Sequence, residues 1–200
     1  MLIAIRNRFI ALGFEVFTYW LRAKHRLRIG PALARLDHVT IPVTDLAVAE
    51  RFYCDVLGAV RMMTIDAAAL RRFGRPPADN GGDGVFHVSL CVGGHTRVDL
   101  FLQRDGQPAI TRGHPHFAFR IPARAMLQWK ARLEGAGVPT DGPLQLGFPG
   151  HASLYFNDPS GNHLELVSHG FSRPIPIRPP KLAGLVWAKD PVGASDGGAG

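Results

Sequence analysis

The sequence predicts an α+β fold in which one unit of a helix and several strands occurs twice, preceded by an additional N-terminal helix. Three observations support this. A histidine opens an apolar strand at His38 and again at His116, a helical pattern follows each histidine, and each copy closes with a strand that carries an acid, Asp99 or Glu165. Repetition at a fixed offset indicates a duplicated architecture.

The spacing of the two copies supports the duplication. The two histidines lie 78 positions apart, as do Val60 and Val138 after the helical patterns, whereas the two acids lie 66 positions apart. The first copy therefore carries 12 additional residues. The segment from Asp66 to Gly84 contains the glycine and proline typical of a loop, so we place the insertion there, as either a lid or a passive surface loop.

The elements of each copy follow from periodicity. Helical patterns cover residues 45–57 and 123–134. In the first strand Val39, Ile41 and Val43 share one face and His38 and Thr40 the other, because side chains alternate along a strand. The same alternation occurs in five further segments: 86–91, 97–103, 116–121, 153–157 and 163–166. Each sheet should therefore have an apolar face covered by helices and a polar face.

The polar faces favour a metal site. Histidine occurs in both opening strands and a carboxylate in both closing strands, whereas ordinary solvation has no such preference. Two imidazoles and a carboxylate are typical of non-haem Fe(II) sites, and the same ligands accept Mn, Ni or Zn.

Charge and composition exclude other classes. The formal net charge is +7, but seven basic residues and one acid within residues 1–36 account for +6 of it, so the remainder lacks the basic face of a nucleic-acid-binding domain. The apolar stretch from Phe9 to Leu21 is too short to span a bilayer and lacks a signal-peptide cleavage site. A helix in residues 1–30 should pack on the domain or a second subunit, or lie weakly on an anionic membrane surface.

Two further features concern the compartment and the C-terminus. Cys54 and Cys91 form no disulfide framework, which favours reduced thiols and a cytoplasmic location. Residues 173–200 are rich in Pro and then in Gly, Ala and Ser, which predicts an irregular arm with a disordered tip.

The most specific motif is Ser153-Leu154-Tyr155-Phe156-Asn157-Asp158-Pro159-Ser160-Gly161-Asn162-His163-Leu164-Glu165. With His38 and His116, it resembles the vicinal oxygen chelate superfamily, which includes glyoxalase I, fosfomycin-resistance thiol transferases, bleomycin-resistance proteins and extradiol dioxygenases. The resemblance covers about residues 36–170. It implies paired βαβββ modules, residues 36–105 and 114–170, whose mixed sheets roll around a metal cavity. Residues 1–35 would then be an added helix and 171–200 an arm.

The resemblance also implies site residues. His38, His116 and Glu165 match the metal ligands, and Asp99 matches either a fourth ligand or a residue that orients a ligand histidine. Tyr155 matches the tyrosine of the extradiol signature. That signature's upstream half is missing, so His151 and His87 are loosely placed candidates for substrate contact and proton transfer. Arg120 shares the face of His116 and could hold an anionic substrate group or pair with an acid.

Three functions follow from this set. The favoured one is an Fe(II) ring-cleaving dioxygenase whose substrate binds through two adjacent oxygens. The second is a glyoxalase-type lyase or isomerase, or a thiol transferase, with Asp99 as fourth ligand. The third is a non-catalytic protein that binds a small molecule such as an antibiotic. The cavity could be completed within one chain or across a homodimer.

Overall fold

The computed structural model describes residues 2–27, 36–72, 84–85, 87–94, 96–103 and 116–181. The chain divides into two compact units, each built around one four-stranded sheet. Unit one comprises residues 1–35, 116–156 and 163–186. Unit two comprises residues 36–115, 157–162 and 187–200.

Unit two contains the first copy of the repeat. Its elements are β1 (His38–Val43), α2 (Leu46–Arg51), a π-helical turn (Phe52–Val56), β2 (Val60–Ile65), α3 (Ala67–Arg72), β3 (His87–Cys91) and β4 (Arg97–Leu102). The strand order is β1-β4-β3-β2, with β1 parallel to β4 and the other pairs antiparallel. The helix α2 begins where the Asp45 carboxylate accepts a hydrogen bond from the Val48 backbone N–H at 2.9 Å, which satisfies one free donor of the first turn.

Unit one contains the second copy and the N-terminal helix. Its elements are α1 (Leu2–Arg26), β5 (Phe117–Arg120), a 3₁₀ turn (Ala123–Ala125), α4 (Met126–Gly135), β6 (Asp141–Leu144), β7 (Ala152–Asn157) and β8 (His163–Ser168). The strand order is β5-β8-β7-β6, and β5 runs parallel to β8. Each unit therefore repeats the same strand order, and the predicted α+β fold of paired βαβββ modules with an added N-terminal helix is confirmed.

The two central strands of unit one are buried on both faces. Their apolar side chains Leu154, Phe156 and Leu164 are fully buried, as the alternation predicts. The polar residues on the opposite face, Tyr155 and Glu165, are also only 3% and 5% exposed as whole residues. Polar groups withdrawn from water in this way need partners or a ligand, which makes this face the candidate site.

Two details differ from the sequence prediction. The segment predicted as a loop, Asp66 to Gly84, begins with the helix α3, because the six residues Ala67–Arg72 are good helix formers and the Asp66 carboxylate caps the Ala69 N–H at 2.7 Å. The glycines and prolines lie farther on, in 73–83, outside the described residues. The alternation of side chains did not locate the strands β2 and β6 of the predicted modules, since β2 is largely exposed and β6 contains Gly142 and Pro143.

The ends of the chain add two observations. In the described ranges no helix is long and apolar enough to cross a membrane. Residues 171–181 follow β8 without regular secondary structure, and the predicted disordered tip lies among residues 182–200, outside the described part.

Candidate metal centre

A histidine and a glutamate meet at the start of the second repeat. His116 immediately precedes β5, and Ala118, two residues later on the same face, is the register partner of Glu165 in β8. Because side chains two apart on a strand share a face, His116 and Glu165 point to the same side of the sheet. The His116 Nε2 lies 2.7 Å from the Glu165 Oε2. The His116 side chain is 22% exposed and the Glu165 side chain 7% exposed. The carboxylate is therefore withdrawn from water, whereas the imidazole is partly in contact with solvent.

Tyr155 stands beside this pair on the neighbouring strand β7. Its ring centroid lies 5.7 Å from that of His116, with the planes nearly perpendicular. Burial, and secondarily the Glu165 carboxylate, raise the pKa of Tyr155 to about 12. The phenol is therefore protonated at neutral pH and can act as a hydrogen-bond donor.

The His116 and Glu165 donors suit two positions on a divalent ion. An imidazole nitrogen and a carboxylate oxygen that each lie about 2.1 Å from one octahedral ion are ~3 Å apart, close to the observed separation. Within the described ranges, however, no group of three or more His, Cys, Asp or Glu side chains is gathered so as to hold a metal. The third predicted ligand, His38, belongs to unit two, so the complete triad stays a prediction.

In unit two, Asp99 is the centre of a polar cluster. Its carboxylate accepts hydrogen bonds from Arg97 Nε at 3.1 and 3.2 Å and lies 3.4 Å from His87 Nε2. Burial alone would raise the pKa of Asp99, but hydrogen bonds from Ser89, His87 and Arg97 lower it below its ordinary value. Asp99 is thus an ionised, nearly buried carboxylate already neutralised by an arginine, which favours a supporting role over direct metal ligation.

His87 is held by the same cluster. Its Nε2 lies 3.0 Å from the Ser89 hydroxyl, and its ring stacks on Phe101 with centroids 4.1 Å apart. Burial lowers the pKa of His87, so the ring is neutral at pH 7. A neutral imidazole can accept a proton, and proton transfer by His87 stays a prediction.

His38 is oriented by residues on its own unit. Its Nδ1 lies 2.9 Å from the Asp37 carboxylate and 3.3 Å from Arg97 Nη2, and Arg97 is its register partner on β4. Nδ1 must be protonated to donate to the Asp37 carboxylate, whereas the Arg97 guanidinium can only donate to an unprotonated Nδ1, so the two contacts hold the ring without fixing its tautomer. The tautomer with the proton on Nδ1, paired with Asp37, is the one that leaves Nε2 free to bind a metal. Arg97 thus contacts both His38 and Asp99, a linking role that the sequence argument missed although the residue shares their face.

His151 lies in the loop before β7 among aromatic rings. Its ring centroid is 5.6 Å from that of Phe148 and 5.4 Å from that of His169. Burial lowers the pKa of His151, and its Nδ1 is a buried atom without a hydrogen-bond partner in the described structure. A neutral ring with an unused buried nitrogen can serve a ligand, so its predicted role stays open.

Arg120, the predicted substrate contact, pairs with an acid on the N-terminal helix. Its Nη2 donates a hydrogen bond to the Glu15 carboxylate, and His169 Nδ1 lies 3.5 Å from the same carboxylate. The sequence signal for this pair was available, since Glu15 is the single acid in a basic segment. Whether Arg120 also contacts a substrate stays a prediction.

A protein-family comparison identifies the superfamily. The model described as Glyoxalase/Bleomycin resistance protein/Dioxygenase superfamily matches residues 35–166, about two thirds of the chain. The chain belongs to this superfamily. The match begins three residues before His38 and ends one residue after Glu165, so it contains every predicted ligand of the metal.

Several solved structures have a similar fold. An integron cassette protein, HFX_CASS4, from the mobile metagenome of the Halifax Harbour sewage outfall is 26% identical, with a TM-score of 0.50 over 68% of this chain and 99% of that chain. TnmS3, an antibiotic binding protein from Streptomyces sp. CB03234, is 22% identical, with a TM-score of 0.52, and the match covers 70% of this chain and 99% of that chain.

A third neighbour contains a metal. A mutant of the fosfomycin resistance protein FosX from Listeria monocytogenes, complexed with Mn(II) and 1S,2S-dihydroxypropylphosphonic acid, is 18% identical, with a TM-score of 0.52 over 68% of this chain and 92% of that chain. At 22% and 18% identity, TnmS3 and FosX show a common fold only. No curated protein sequence matches the chain significantly.

Proposed function

We propose that this chain is a divalent-metal-dependent enzyme whose substrate binds through two adjacent oxygens. The observation that carries the proposal is the 2.7 Å approach of His116 Nε2 to Glu165 Oε2 beside Tyr155. Imidazole and carboxylate groups on one face of a buried sheet are suited to a metal. A Mn(II) complex with a dihydroxy ligand in the FosX neighbour supports this class of chemistry.

The residues that would hold the metal are His116 and Glu165, with His38 as the third ligand. Fe(II) is the favoured ion, and Mn, Ni or Zn suit the same donors. When bound, the ion would supply Lewis-acid activation of the substrate oxygens and, as Fe(II), access to O2 chemistry. Asp37, at 2.9 Å from His38 Nδ1, would keep the other nitrogen of that ring available for ligation.

The specific reaction we propose is extradiol-type cleavage of a catechol-like ring. Asp99 is engaged by Arg97 at 3.1 Å, which leaves two histidines and one glutamate, the ligand set of non-haem Fe(II) oxygenases. The Tyr155 phenol would donate a hydrogen bond to a substrate oxygen. His151 or His87 would accept and return a proton, and Arg120 would hold an anionic substituent.

Two alternatives use the same residues differently. A glyoxalase-type lyase or isomerase, or a thiol transferase, would use Asp99 as a fourth ligand, which requires the carboxylate to leave Arg97. A non-catalytic binding protein would use the cavity without a metal, as the likeness to the antibiotic binding protein TnmS3 suggests. We further propose a cytoplasmic location, based on Cys54 and Cys91 as reduced thiols.

The test is anaerobic metal reconstitution followed by a ring-cleavage assay. The metal-free protein should take up one Fe(II) per chain and open at least one member of a catechol panel, seen as new absorbance. His116→Ala and Glu165→Gln should each weaken metal binding by about 100-fold or more, whereas His25→Ala, at an exposed histidine of α1, should not. A protein that binds no divalent ion would exclude the metal enzyme. One that binds iron and opens no catechol would exclude the extradiol reaction.

A further inference from the structure

The N-terminal helix α1 has one face that packs within unit one. Asn7 is buried and donates a hydrogen bond from Nδ2 to the Phe171 carbonyl at 2.7 Å. One turn farther along the helix, the Ala11 Cβ lies close to Gly170. Two turns along, the Phe14 ring centroid lies 5.1 Å from that of Phe148. Spacings of three and four residues place these side chains on one side of the helix. The packing expected for α1 from its sequence therefore involves this side of the helix.

The opposite side of α1 is apolar and exposed. Residues spaced by three and four positions form a continuous apolar face: Leu2, Ile5, Phe9, Leu12, Val16 and Tyr19. Their exposed fractions range from 43% at Ile5 to 81% at Leu2. Trp20, 54% exposed, extends the face. Contiguous apolar surface of this extent on one helix indicates a binding surface, since monomeric soluble proteins rarely expose such patches.

Cations border this apolar face along both edges. With 3.6 residues per turn, Arg8 and Arg26 lie along one edge, and Arg6 and Lys24 lie along the other. The Lys24 Nζ sits 5.3 Å from the Trp20 ring centroid. The one acid of the helix, Glu15, is paired with Arg120 and does not offset these charges.

A basic cavity adjoins the same helix. Arg8 lines a cavity of about 690 Å³ together with Arg124 and Arg173. The cavity lies within unit one, between α1, the start of α4 and the segment after β8. It adds cationic groups next to the Arg8 edge of the apolar face.

From these observations we propose that α1 docks the protein on an anionic lipid bilayer, with its apolar face in the interface and its border cations on lipid headgroups. An apolar face flanked by Lys and Arg and carrying Trp and Tyr is the pattern of helices that lie in the plane of a membrane. A second copy of the chain is a poorer occupant, because helix-to-helix pairing through this face would set the cationic borders against each other. This inference is independent of the metal chemistry proposed above.

The test is binding of the whole 200-residue chain to lipid vesicles. At low salt the protein should co-sediment with phosphatidylcholine vesicles that contain phosphatidylglycerol, and much less with phosphatidylcholine alone. Raised salt should release it, because exposed charges are screened. The Trp20 emission should shift to shorter wavelength on binding, and Trp20→Phe should remove most of that shift.

Variants separate the apolar and charge contributions. Phe9→Ser with Val16→Ser, and separately Arg6→Gln with Lys24→Gln, should each weaken binding to anionic vesicles by about tenfold or more. Ile177→Ser, at a residue that is 76% exposed outside α1, should bind as the parent does. Absence of binding at low salt would overturn the proposal. So would a dimer in sedimentation equilibrium that the Phe9 and Val16 substitutions dissociate, since α1 would then join two copies of the chain.

Discussion

The Tyr53 hydroxyl donates a hydrogen bond to the Asp158 Oδ2 at 3.2 Å, although the two residues are 105 positions apart. Both side chains are fully buried. Asp158 also accepts hydrogen bonds from the backbone N–H groups of Ser160 and Asn162 at 2.9 and 2.8 Å, and from the Asn162 amide at 2.8 Å. The acid of the Asp-Pro-Ser-Gly turn therefore holds its own turn and anchors it to the π-helical turn of unit two.

Removing the Tyr53 hydroxyl should measurably destabilise the protein. Tyr53→Phe deletes one donor to a buried carboxylate, so the free energy of unfolding should fall by about 1–3 kcal/mol. Urea unfolding followed by circular dichroism measures the change. Tyr19→Phe, at a tyrosine that is 72% exposed, should change stability by less than about 0.5 kcal/mol. Equal effects of the two substitutions would contradict the contact.

The buried Asp158 carboxylate should make stability depend on pH. Burial raises the pKa of Asp158 to about 6 from an ordinary 3.8, despite the hydrogen bonds that it accepts. The folded protein then holds the proton more tightly than the unfolded chain, so this group's contribution is full below about pH 4 and is lost as pH rises through about 6. The loss should be about 3 kcal/mol, and the Asp158→Asn variant should lack it. If the free energy of unfolding varied with pH in the same way in the parent and in the Asp158→Asn variant, the pKa of Asp158 would be ordinary.

Arg97→Gln should lower the free energy of unfolding mainly at pH values above the pKa of Asp99, where the carboxylate is ionised. Because Arg97 helps to keep that pKa low, the Asp99 contribution to stability is present above its ordinary value near 4 and is lost as pH falls through the lowered value. The variant should lose about 1–3 kcal/mol of unfolding free energy at pH 7, and this loss should shrink as pH falls through the lowered pKa of Asp99. Arg61→Gln, which breaks the exposed pair with Glu50, should cost less than about 1 kcal/mol. A loss that persists unchanged at low pH would indicate packing instead.

The close approach of α1 to Gly150 should make that glycine hard to replace. Gly150 has φ +88°, and an alanine Cβ there would lie 2.8 Å from the Asn7 Cβ. Gly150→Ala should cost more than about 1 kcal/mol and increase proteolysis of α1. Gly94→Ala is the matched control, because Gly94 also has a positive φ, +68°, but its Cβ would meet nothing within 4 Å. If both substitutions lowered the free energy of unfolding equally, the positive φ alone, and not the contact with Asn7, would explain the loss at Gly150.

Tyr155→Phe should separate catalysis from metal binding. Under the proposed function the phenol donates to substrate and holds no metal, so the variant should keep its metal affinity within about threefold while kcat falls by about 100-fold. Metal titration and steady-state kinetics measure the two effects, and Tyr19→Phe serves as the control. A loss of metal affinity as large as that of Glu165→Gln would assign Tyr155 a different role.

Much of the fold could be predicted because local patterns repeat. The 78-position offset and the alternation in β1, β4, β7 and β8 depend on side-chain periodicity, which each segment carries by itself. The prediction failed where local signals conflict with context, as in β6, whose Gly142 and Pro143 disfavour a strand although β7 pairs with it. It also missed α3, whose helical residues precede the glycines and prolines of the insertion.

The amino-acid sequence by itself determined the duplication, the strand faces and the recurrence of one histidine and one acid in each copy, because each is a property of residue types at a spacing. Only the tertiary structure decided the partners of those groups. Arg97 neutralises Asp99, Glu15 engages Arg120, and His116 meets Glu165 at 2.7 Å. Such contacts join residues up to 105 positions apart, and which charges meet depends on how strands and helices pack.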